Sequence, residues 1–249
     1  MNFENSTVLI TGGGSGIGRA LAHRFNDHGC TVIVAGRRAQ ALDEAMAGRA
    51  RMAAYLLDVA DGASIKSFVA RVTQAHPRLN VLVNCAGIMR FEDLSMQSDL
   101  TDAEQIIVTN VLGPMRLTNA LLPHLKAQRD TAIVNVSSGL AFVPLPAAPT
   151  YSASKAALHS YTVSLRARLA GKVEVIEVVP PAVRTELTPG QSTQEEYMPL
   201  DAFIDETMAL LLRQPTPDEV LVERVKFLRD AEVEGRFPAA LAALLHVHA

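Results

Sequence analysis

The sequence is poor in cysteine and in aromatic residues: among 249 residues it has two cysteines, no tryptophan and 5% aromatic side chains. Cys30 and Cys85 lie in separate apolar stretches, which argues against a disulfide framework or a cysteine-based zinc site. We expect two buried free thiols in a reducing cytoplasm. The N-terminus has no basic region ahead of an apolar one, so we expect no secretory signal.

Long apolar runs and a dominant charge are also missing. No run reaches the roughly 18 residues that a membrane-spanning helix needs. The formal net charge is −3, which gives no electrostatic reason to expect a nucleic acid or an anionic membrane as a partner. The histidines have neither triad nor metal-ligand spacing, so we expect no metal site. They are His23, His28, His76, His124, His159, His246 and His248.

The sequence does contain a regular alternation of short apolar runs and longer helical stretches. The apolar runs are continuous Val/Ile/Leu segments, which are typical of parallel strands covered on both faces. Their repetition with helices predicts right-handed crossovers and an α/β fold, a single Rossmann-type domain over 1–249 with a doubly wound parallel sheet. The predicted strands are 6–11, 31–36, 52–59, 80–87, 131–138 and 172–180, with 219–224 as a candidate last strand; the predicted helices are 16–29, one ending near 46, 61–75, 98–127, 152–170 and 201–213.

The last quarter of the chain, 187–249, is less regular, and its assignment is the least certain. Residues 188–199 form a polar stretch rich in turn residues. Loops of this length in compact domains are usually functional or disordered. We favour a substrate lid over 186–200, followed by C-terminal helices.

The segment "TGGGSGIG" (11–18) joins the first predicted strand to the first helix. Glycines permit close backbone approach, and a helix N-terminus attracts a diphosphate. The alternative is a tight turn that needs glycine only for its geometry, but the position at the carboxyl end of the first strand favours a dinucleotide site. The expected contacts are Gly12, Gly14, Ser15, Gly16, Ile17 and Gly18.

The second strand ends in "VAGRRAQ", where sites for the unphosphorylated cofactor place an acid. Here the residue is Gly36, followed by Arg37 and Arg38. Two guanidinium groups without an acid suit a 2′-phosphate. They could instead be the solvated start of the next helix. We predict NADP(H) as the cofactor, with NAD(H) less favoured.

The segment "YSASK" (151–155) places Tyr151 and Lys155 one turn apart on a helix. A tyrosine hydroxyl titrates near 10, and a nearby ammonium should lower that pKa, so Tyr151 could exchange a proton with a carbonyl or alkoxide. Ser138, at the end of a predicted strand, could hold the substrate oxygen. Alone, such a pair usually reflects packing; its occurrence with Ser138 and the glycine loop favours chemistry.

In this order and spacing, the motifs resemble those of the short-chain dehydrogenase/reductase family over roughly residues 5–187. They are "TGGGSGIG", Asp58, "NCAG" (84–87), Asn110 in "TNVLGP", Ser138 and "YSASK". Within the family, residues 137–162 and "VVPPAV" are most similar to the DltE-like branch. The resemblance implies an oxidoreductase that transfers a hydride between a nicotinamide and a small carbonyl or secondary alcohol.

The resemblance also implies residue roles. Tyr151 would be the general acid/base, Lys155 would lower its pKa and hold the nicotinamide ribose, and Ser138 would polarise the substrate oxygen. Asn110 would fix a helix irregularity and a water that leads to Lys155. Further cofactor contacts would come from Asp58, Val59, Asn84, Ala86, Gly87, Val183 and Thr185. The family further implies a homodimer or homotetramer built on the helices that carry Asn110 and Tyr151.

Two departures from the family pattern concern the cofactor side. Cys85 replaces the usual second asparagine of "NNAG", and Pro181 replaces the usual glycine after the sixth strand. We expect the substrate pocket to be walled by 88–92, by the nearly uncharged stretch 140–149 and by 186–200. Arg90 could meet an acid group or be exposed. A different hypothesis is a cofactor-binding sensor or scaffold with little turnover.

Overall fold

The computed structural model describes residues 3–245 and contains one parallel sheet of seven strands. His246 and His248 lie outside the described residues. The strands are β1 (Thr7–Thr11), β2 (Thr31–Gly36), β3 (Met52–Leu56), β4 (Leu79–Asn84), β5 (Ala132–Val136), β6 (Glu174–Val179) and β7 (Glu219–Leu221). Their order across the sheet is β3–β2–β1–β4–β5–β6–β7. The predicted doubly wound Rossmann-type fold is confirmed.

The connections between strands are helical. The helices are α1 (Gly16–Asp27), α2 (Ala39–Met46), α3 (Gly62–Ala75), α4 (Thr101–Ile107), α5 (Gly113–Lys126), α6 (Pro149–Leu169), α7 (Leu200–Leu211), α8 (Lys226–Arg229) and α9 (Phe237–Leu245). Each predicted helix has a counterpart within a few residues, which is the usual uncertainty of helix ends.

Alternate strand residues point to two hydrophobic cores, one on each face of the sheet. On one face Val8 packs with residues of α1, α2 and α7, such as Phe25 and Phe203. On the other face Leu9 packs with residues of α3 and α5, such as Phe68 and Leu117. Because both faces are covered, the strands need apolar residues at successive positions, which explains the continuous apolar runs in the sequence.

The strands predicted over 80–87 and 219–224 end earlier, at Asn84 and Leu221, and two further predicted elements differ from the structure. The strand predicted over 52–59 ends at Leu56, and the chain then turns so that Asp58 Oδ1 accepts from the backbone N–H of Ala60 at 2.9 Å. The helix predicted over 98–127 is interrupted by a π-helical segment, Val108–Leu112, between α4 and α5. Both differences come from polar contacts that hydrophobic periodicity does not encode.

The strand order reverses between β1 and β4, which are neighbours in the sheet. In open α/β sheets a ligand binds outside the carboxyl ends of the strands at such a reversal. The loops that follow β1 and β4 therefore flank the expected crevice. No helix among residues 3–245 is long and apolar enough to span a membrane.

Candidate active site

A cavity of about 720 Å³ opens at the strand reversal. It brings together residues that follow six strands, β1 to β6, and that the sequence separates by more than 170 positions. The predicted site residues that line it are Gly12, Gly14, Ser15, Gly16, Ile17, Gly18, Arg37, Arg38, Asp58, Val59, Ala86, Gly87, Ser138, Tyr151, Lys155, Val183 and Thr185. Asn84 and Asn110 are the two predicted residues that do not reach it.

The glycine loop leaves no room for side chains at its closest approaches. Gly12 has φ +69°, a left-handed conformation, and a Cβ on Gly18 would lie 2.4 Å from the Gly12 carbonyl oxygen. α1 begins at Gly16, directly after this turn. The result is an open backbone cradle at a helix N-terminus, the arrangement that suits a diphosphate.

Two arginines border the cradle from the end of β2. Arg38 donates from its guanidinium to Ser15 Oγ at 3.0 Å, and both Arg37 and Arg38 are exposed and line the cavity. No acid stands at Gly36, the last residue of β2. The structure thus places two positive charges beside the loop with no carboxylate at the strand end.

Ser138, Tyr151 and Lys155 meet on one wall of the cavity, each less than one tenth exposed. The side chains of Ser138 and Tyr151 are hydrogen-bonded, while Ser138 Oγ accepts from the Leu140 N–H at 3.1 Å. Lys155 Nζ donates to the Val136 carbonyl at 2.9 Å and lies 5.6 Å from the centre of the Tyr151 ring. A phenol hydroxyl and a serine hydroxyl therefore lie side by side at the cavity, with an ammonium group near them.

Burial dominates the electrostatics of this wall. Desolvation raises the pKa of Tyr151 to about 12, and the hydrogen bond with Ser138 offsets part of that rise. Desolvation lowers the pKa of Lys155 to about 8, against the raising effect of Cys85 and Glu177. The sequence predicted that Lys155 would lower the pKa of Tyr151 below its usual value; in this structure desolvation outweighs any such effect.

Asn110 lies behind the wall, at the centre of the π-helical segment. Its side chain accepts from the Ile88 N–H and donates to the Ile88 carbonyl, both at 2.9 Å, and donates to Ser154 Oγ at 3.1 Å. A Cβ on Gly87 would lie 3.4 Å from Asn110 Oδ1 and 3.6 Å from Lys155 Nζ. Asn110 therefore joins the loop after β4 to α6, and a helix irregularity does occur there.

Asn84 does not line the cavity, contrary to what the resemblance implied. It is the last residue of β4 and its side chain is buried in the sheet. Its amide donates to Thr118 Oγ1 at 3.1 Å and to Asn135 Oδ1 at 2.9 Å. These two bonds hold the side chain between β4, β5 and α5.

The stretch 140–149, predicted as a substrate wall, does not line the main cavity either. Leu145 and Ala148 pack behind Tyr151, and Val143 packs against Ala231 and Ala240 of the C-terminal region. Val143, Leu145 and Ala148 are thus buried against the protein itself, whereas Pro144 and Pro146 are exposed. The other two predicted walls do contribute, through residues such as Ile88, Arg90, Leu187 and Gln191.

Sequence reasoning missed Thr11, the last residue of β1. Its Oγ1 accepts from the backbone N–H groups of Cys85 at 3.0 Å and Ala86 at 3.1 Å. The hydroxyl fixes the loop after β4 against the glycine loop. Its position directly before the first loop glycine was the signal available in the sequence.

The segment 186–200 folds over one side of the cavity. Arg184 holds it, donating to the carbonyl oxygens of Gln194 and Tyr197, both at 3.0 Å, and of Glu195. The segment contains the short 3₁₀ turn Gln191–Thr193. Its action as a substrate lid stays a prediction.

Both cysteines are free, as predicted; Cys30 is buried and Cys85 is partly buried. Burial raises the pKa of the Cys85 thiol to about 11. Among residues 3–245 one group could offer ligand atoms to a metal ion: His159, Glu177 and Glu219, whose ligand atoms lie within 4.8 Å of one another. Arg229 donates two hydrogen bonds to the Glu219 carboxylate, at 2.7 and 3.1 Å. Its guanidinium therefore already supplies the positive charge that a metal ion would bring to Glu219.

Comparison with known proteins settles the family. The family model described as short chain dehydrogenase matches residues 6–196, the range that contains the glycine loop, Ser138, Tyr151 and Lys155. The chain belongs to the short-chain dehydrogenase family.

Relatives of this short-chain dehydrogenase carry oxidoreductase names. It is 38% identical over 236 residues to "Uncharacterized oxidoreductase DltE" of Bacillus subtilis, covering 93% of each chain. It is 38% identical over 186 residues to "Sulfoacetaldehyde reductase 2" of Chromohalobacter salexigens, covering 73% of this chain and 74% of that protein. A solved short-chain dehydrogenase of Burkholderia cenocepacia, in complex with NADP, matches with a TM-score of 0.84 at 26% identity, covering 99% of this chain and all of that one.

Family membership makes this short-chain dehydrogenase an oxidoreductase that uses a nicotinamide cofactor. The residues present fit such a group, because Gly12, Gly14, Gly16 and Gly18 line the cavity without side chains at the start of α1. The alternative of a sensor or scaffold without turnover finds no support in these relatives.

Proposed function

We propose that the protein is an NADP(H)-dependent oxidoreductase that interconverts a small carbonyl compound and a secondary alcohol, with Tyr151 as the general acid/base. The observation that carries the proposal is the hydrogen-bonded Ser138–Tyr151 pair with Lys155 beside it, on the wall of the cavity that also contains the glycine loop. When bound, the nicotinamide supplies or accepts the hydride.

The proton steps follow from the chain's own residues. The raised pKa of Tyr151 keeps it protonated at neutral pH, which is the form that a donor to a carbonyl oxygen must have. Ser138, held by the Leu140 N–H, places a hydroxyl beside the same oxygen and orients it. The ammonium of Lys155 offsets the negative charge that Tyr151 acquires when it gives up its proton.

The choice of NADP(H) rests on Arg37 and Arg38. A 2′-phosphate carries the negative charge that these exposed guanidinium groups attract, and Arg38 already points toward the glycine loop through its bond to Ser15. A ribose without the phosphate would find no carboxylate at Gly36 to accept from its hydroxyl. The solved short-chain dehydrogenase of Burkholderia cenocepacia, which is in complex with NADP, supports the same choice.

The substrate side of the cavity has mixed character. Ile88, Pro181 and Leu187 are apolar, whereas Arg90 can meet an acid group. A screen of aldehydes and ketones should therefore pair neutral compounds with carboxylate- or sulfonate-bearing ones. Oxidation of NADPH is followed by the loss of its absorbance.

Replacing Tyr151 by phenylalanine tests the acid/base role. The change removes only the hydroxyl, so we expect kcat to fall by about 10²- to 10⁴-fold, with the affinity for NADPH nearly unchanged. Tyr161→Phe is the matched control, since Tyr161 lies on the same helix and does not line the cavity. Near-parental turnover of Tyr151→Phe on a verified substrate would show that Tyr151 is not the acid/base.

We also propose that the protein self-associates through the helices that carry Asn110 and Tyr151. Several large apolar side chains are exposed on or next to α4, namely Leu94, Met96, Leu100 and Ile107. Leu94, Leu100 and Ile107 border a second, mainly apolar cavity that also includes Pro149 and Ala153 of α6. Burial of this surface in a homodimer or homotetramer would remove it from water.

A further inference from the structure

A row of polar side chains crosses the sheet beneath α6. Asn84, Asn135, Glu177 and Glu219 are register partners across β4, β5, β6 and β7. Register partners point to the same face of a sheet, and Asn135 donates to Thr162 of α6 at 2.9 Å. The whole row therefore faces α6, the helix that carries Tyr151 and Lys155.

Glu177 is the most buried member of the row that can carry a charge. Its side chain has no exposed surface. One carboxylate oxygen is 2.8 Å from His159 Nδ1, and the other has no hydrogen-bond partner among the described residues. A buried carboxylate with an unpartnered oxygen costs free energy, so a compensating interaction is expected nearby.

Lys155 is the positive group placed to compensate it. His159 follows Lys155 by four residues on α6, so the two side chains are neighbours on the helix face that covers the row. Lys155 Nζ binds the carbonyl of Val136, the residue after Asn135, and Asn135 is the register partner of Glu177. Both the helix and the sheet thus bring the ammonium and the carboxylate to the same buried region.

Other charged groups around Glu177 are matched by partners of their own. Glu219 of β7 is held by the fork of Arg229 in α8, and Arg166 of α6 lies 3.7 Å from Asp218. The pKa of the Cys85 thiol, beside Lys155, is about 11, so this group is uncharged near pH 8. Glu177 is left as the negative charge that acts on Lys155 from the sheet.

We propose that Glu177 is a positioning residue for the reaction, whose buried charge keeps Lys155 in its ammonium form at neutral pH. The catalytic consequence rests on the proposed function, in which that ammonium assists Tyr151. The effect of Glu177 on the protonation of Lys155 does not depend on the proposed function, because it concerns Lys155 alone.

The sign of the effect is fixed by electrostatics. Desolvation already lowers the pKa of Lys155 to about 8, and Glu177 opposes that lowering. Without the carboxylate, Lys155 should lose its proton at lower pH. An opposite charge nearby changes a pKa by about one to three units, and we expect the midpoint to fall by roughly one pH unit, the lower end of that range.

The test is a direct NMR titration of lysine side chains labelled with ¹³C at Cε, with Lys155 assigned by the loss of its signal in Lys155→Arg. We expect a midpoint near 8 for the unaltered protein and one about a pH unit lower for Glu177→Gln. Glu174→Gln is the matched control, because it makes the same charge change at the other end of β6 and should leave the midpoint unchanged. Equal midpoints for Glu177→Gln and the unaltered protein would overturn the proposal.

Two further measurements make the outcome decisive. If Glu177→Gln does not fold, Glu177→Asp is titrated instead. The aspartate keeps the negative charge but holds it one methylene further back, so we expect the Lys155 midpoint to fall by less than in Glu177→Gln. An unchanged Lys155 midpoint in Glu177→Asp refutes the proposal. In turnover assays, the fall of kcat at high pH should shift to lower pH in Glu177→Gln by the same amount as the NMR midpoint of Lys155. The titration needs no substrate, so a failure of the proposed reaction, tested by Tyr151→Phe, is distinguishable from a failure of this one.

Discussion

Replacing Arg37 and Arg38 by alanine should remove the preference for NADPH over NADH. Both side chains are exposed at the cavity, and Arg38 is oriented toward the glycine loop by Ser15. A charge-assisted hydrogen bond contributes about 1.5–3 kcal/mol when protected from water. Because these groups are exposed, we expect about 1 kcal/mol from each. Together they should contribute about 2 kcal/mol, which is roughly a 30-fold difference in affinity.

The assay is a fluorescence titration of each variant with NADPH and NADH at fixed ionic strength. We expect the double variant to lose about 30-fold in NADPH affinity and little in NADH affinity. The preference of the unaltered protein should weaken with added salt, since screening acts on exposed charges. Arg71→Ala, on the exposed side of α3, is the matched control. Equal affinities for both nucleotides in the unaltered protein, or an unchanged ratio in the double variant, refute the assignment.

Two other predictions concern the loops after β1 and β4. Gly18→Ala should weaken nucleotide binding by at least about tenfold, because the new Cβ would lie 2.4 Å from the Gly12 carbonyl oxygen. Gly62→Ala is the control, since a Cβ there would meet nothing within 4 Å. Unchanged nucleotide binding by Gly18→Ala would contradict the reasoning. The Cys85 thiol, with a pKa of about 11, should react with iodoacetamide at pH 7.5 about 100-fold more slowly than a free cysteine. Its rate should rise with pH up to about 11, and a rate equal to that of free cysteine at pH 7.5 rules out the raised pKa.

The sequence predicted the sheet and its helices well because hydrophobic periodicity is a local property. "TVIVAG" (31–36) is the observed strand β2 to the residue. The boundaries failed where polar contacts intervene, as at Asp58 and at the π-helical segment around Asn110. The family resemblance pointed to an irregularity near Asn110, which periodicity could not detect.

The candidate site was predicted where a motif sits at a strand end. The glycine loop, Ser138, Tyr151 and Lys155 all line one cavity. The stretch 140–149 does not line this cavity, and its role as a substrate wall stays a prediction, because low charge is typical of a pocket wall and of a buried contact alike. In the structure Val143 is covered by Ala231 and Ala240, which lie about 90 residues further along the chain.

The sequence by itself determined the parallel α/β architecture, the family and most of the residues that line the candidate site, because strand–helix alternation and short motifs are written in neighbouring residues. Only the tertiary structure decided the balance of charges at the site. Desolvation raises the pKa of Tyr151 to about 12 and lowers that of Lys155 to about 8. Glu177 reaches the region of Lys155 through strand register and helix packing. Burial and cross-strand neighbours depend on contacts between distant segments, and those contacts exist only once the chain has folded.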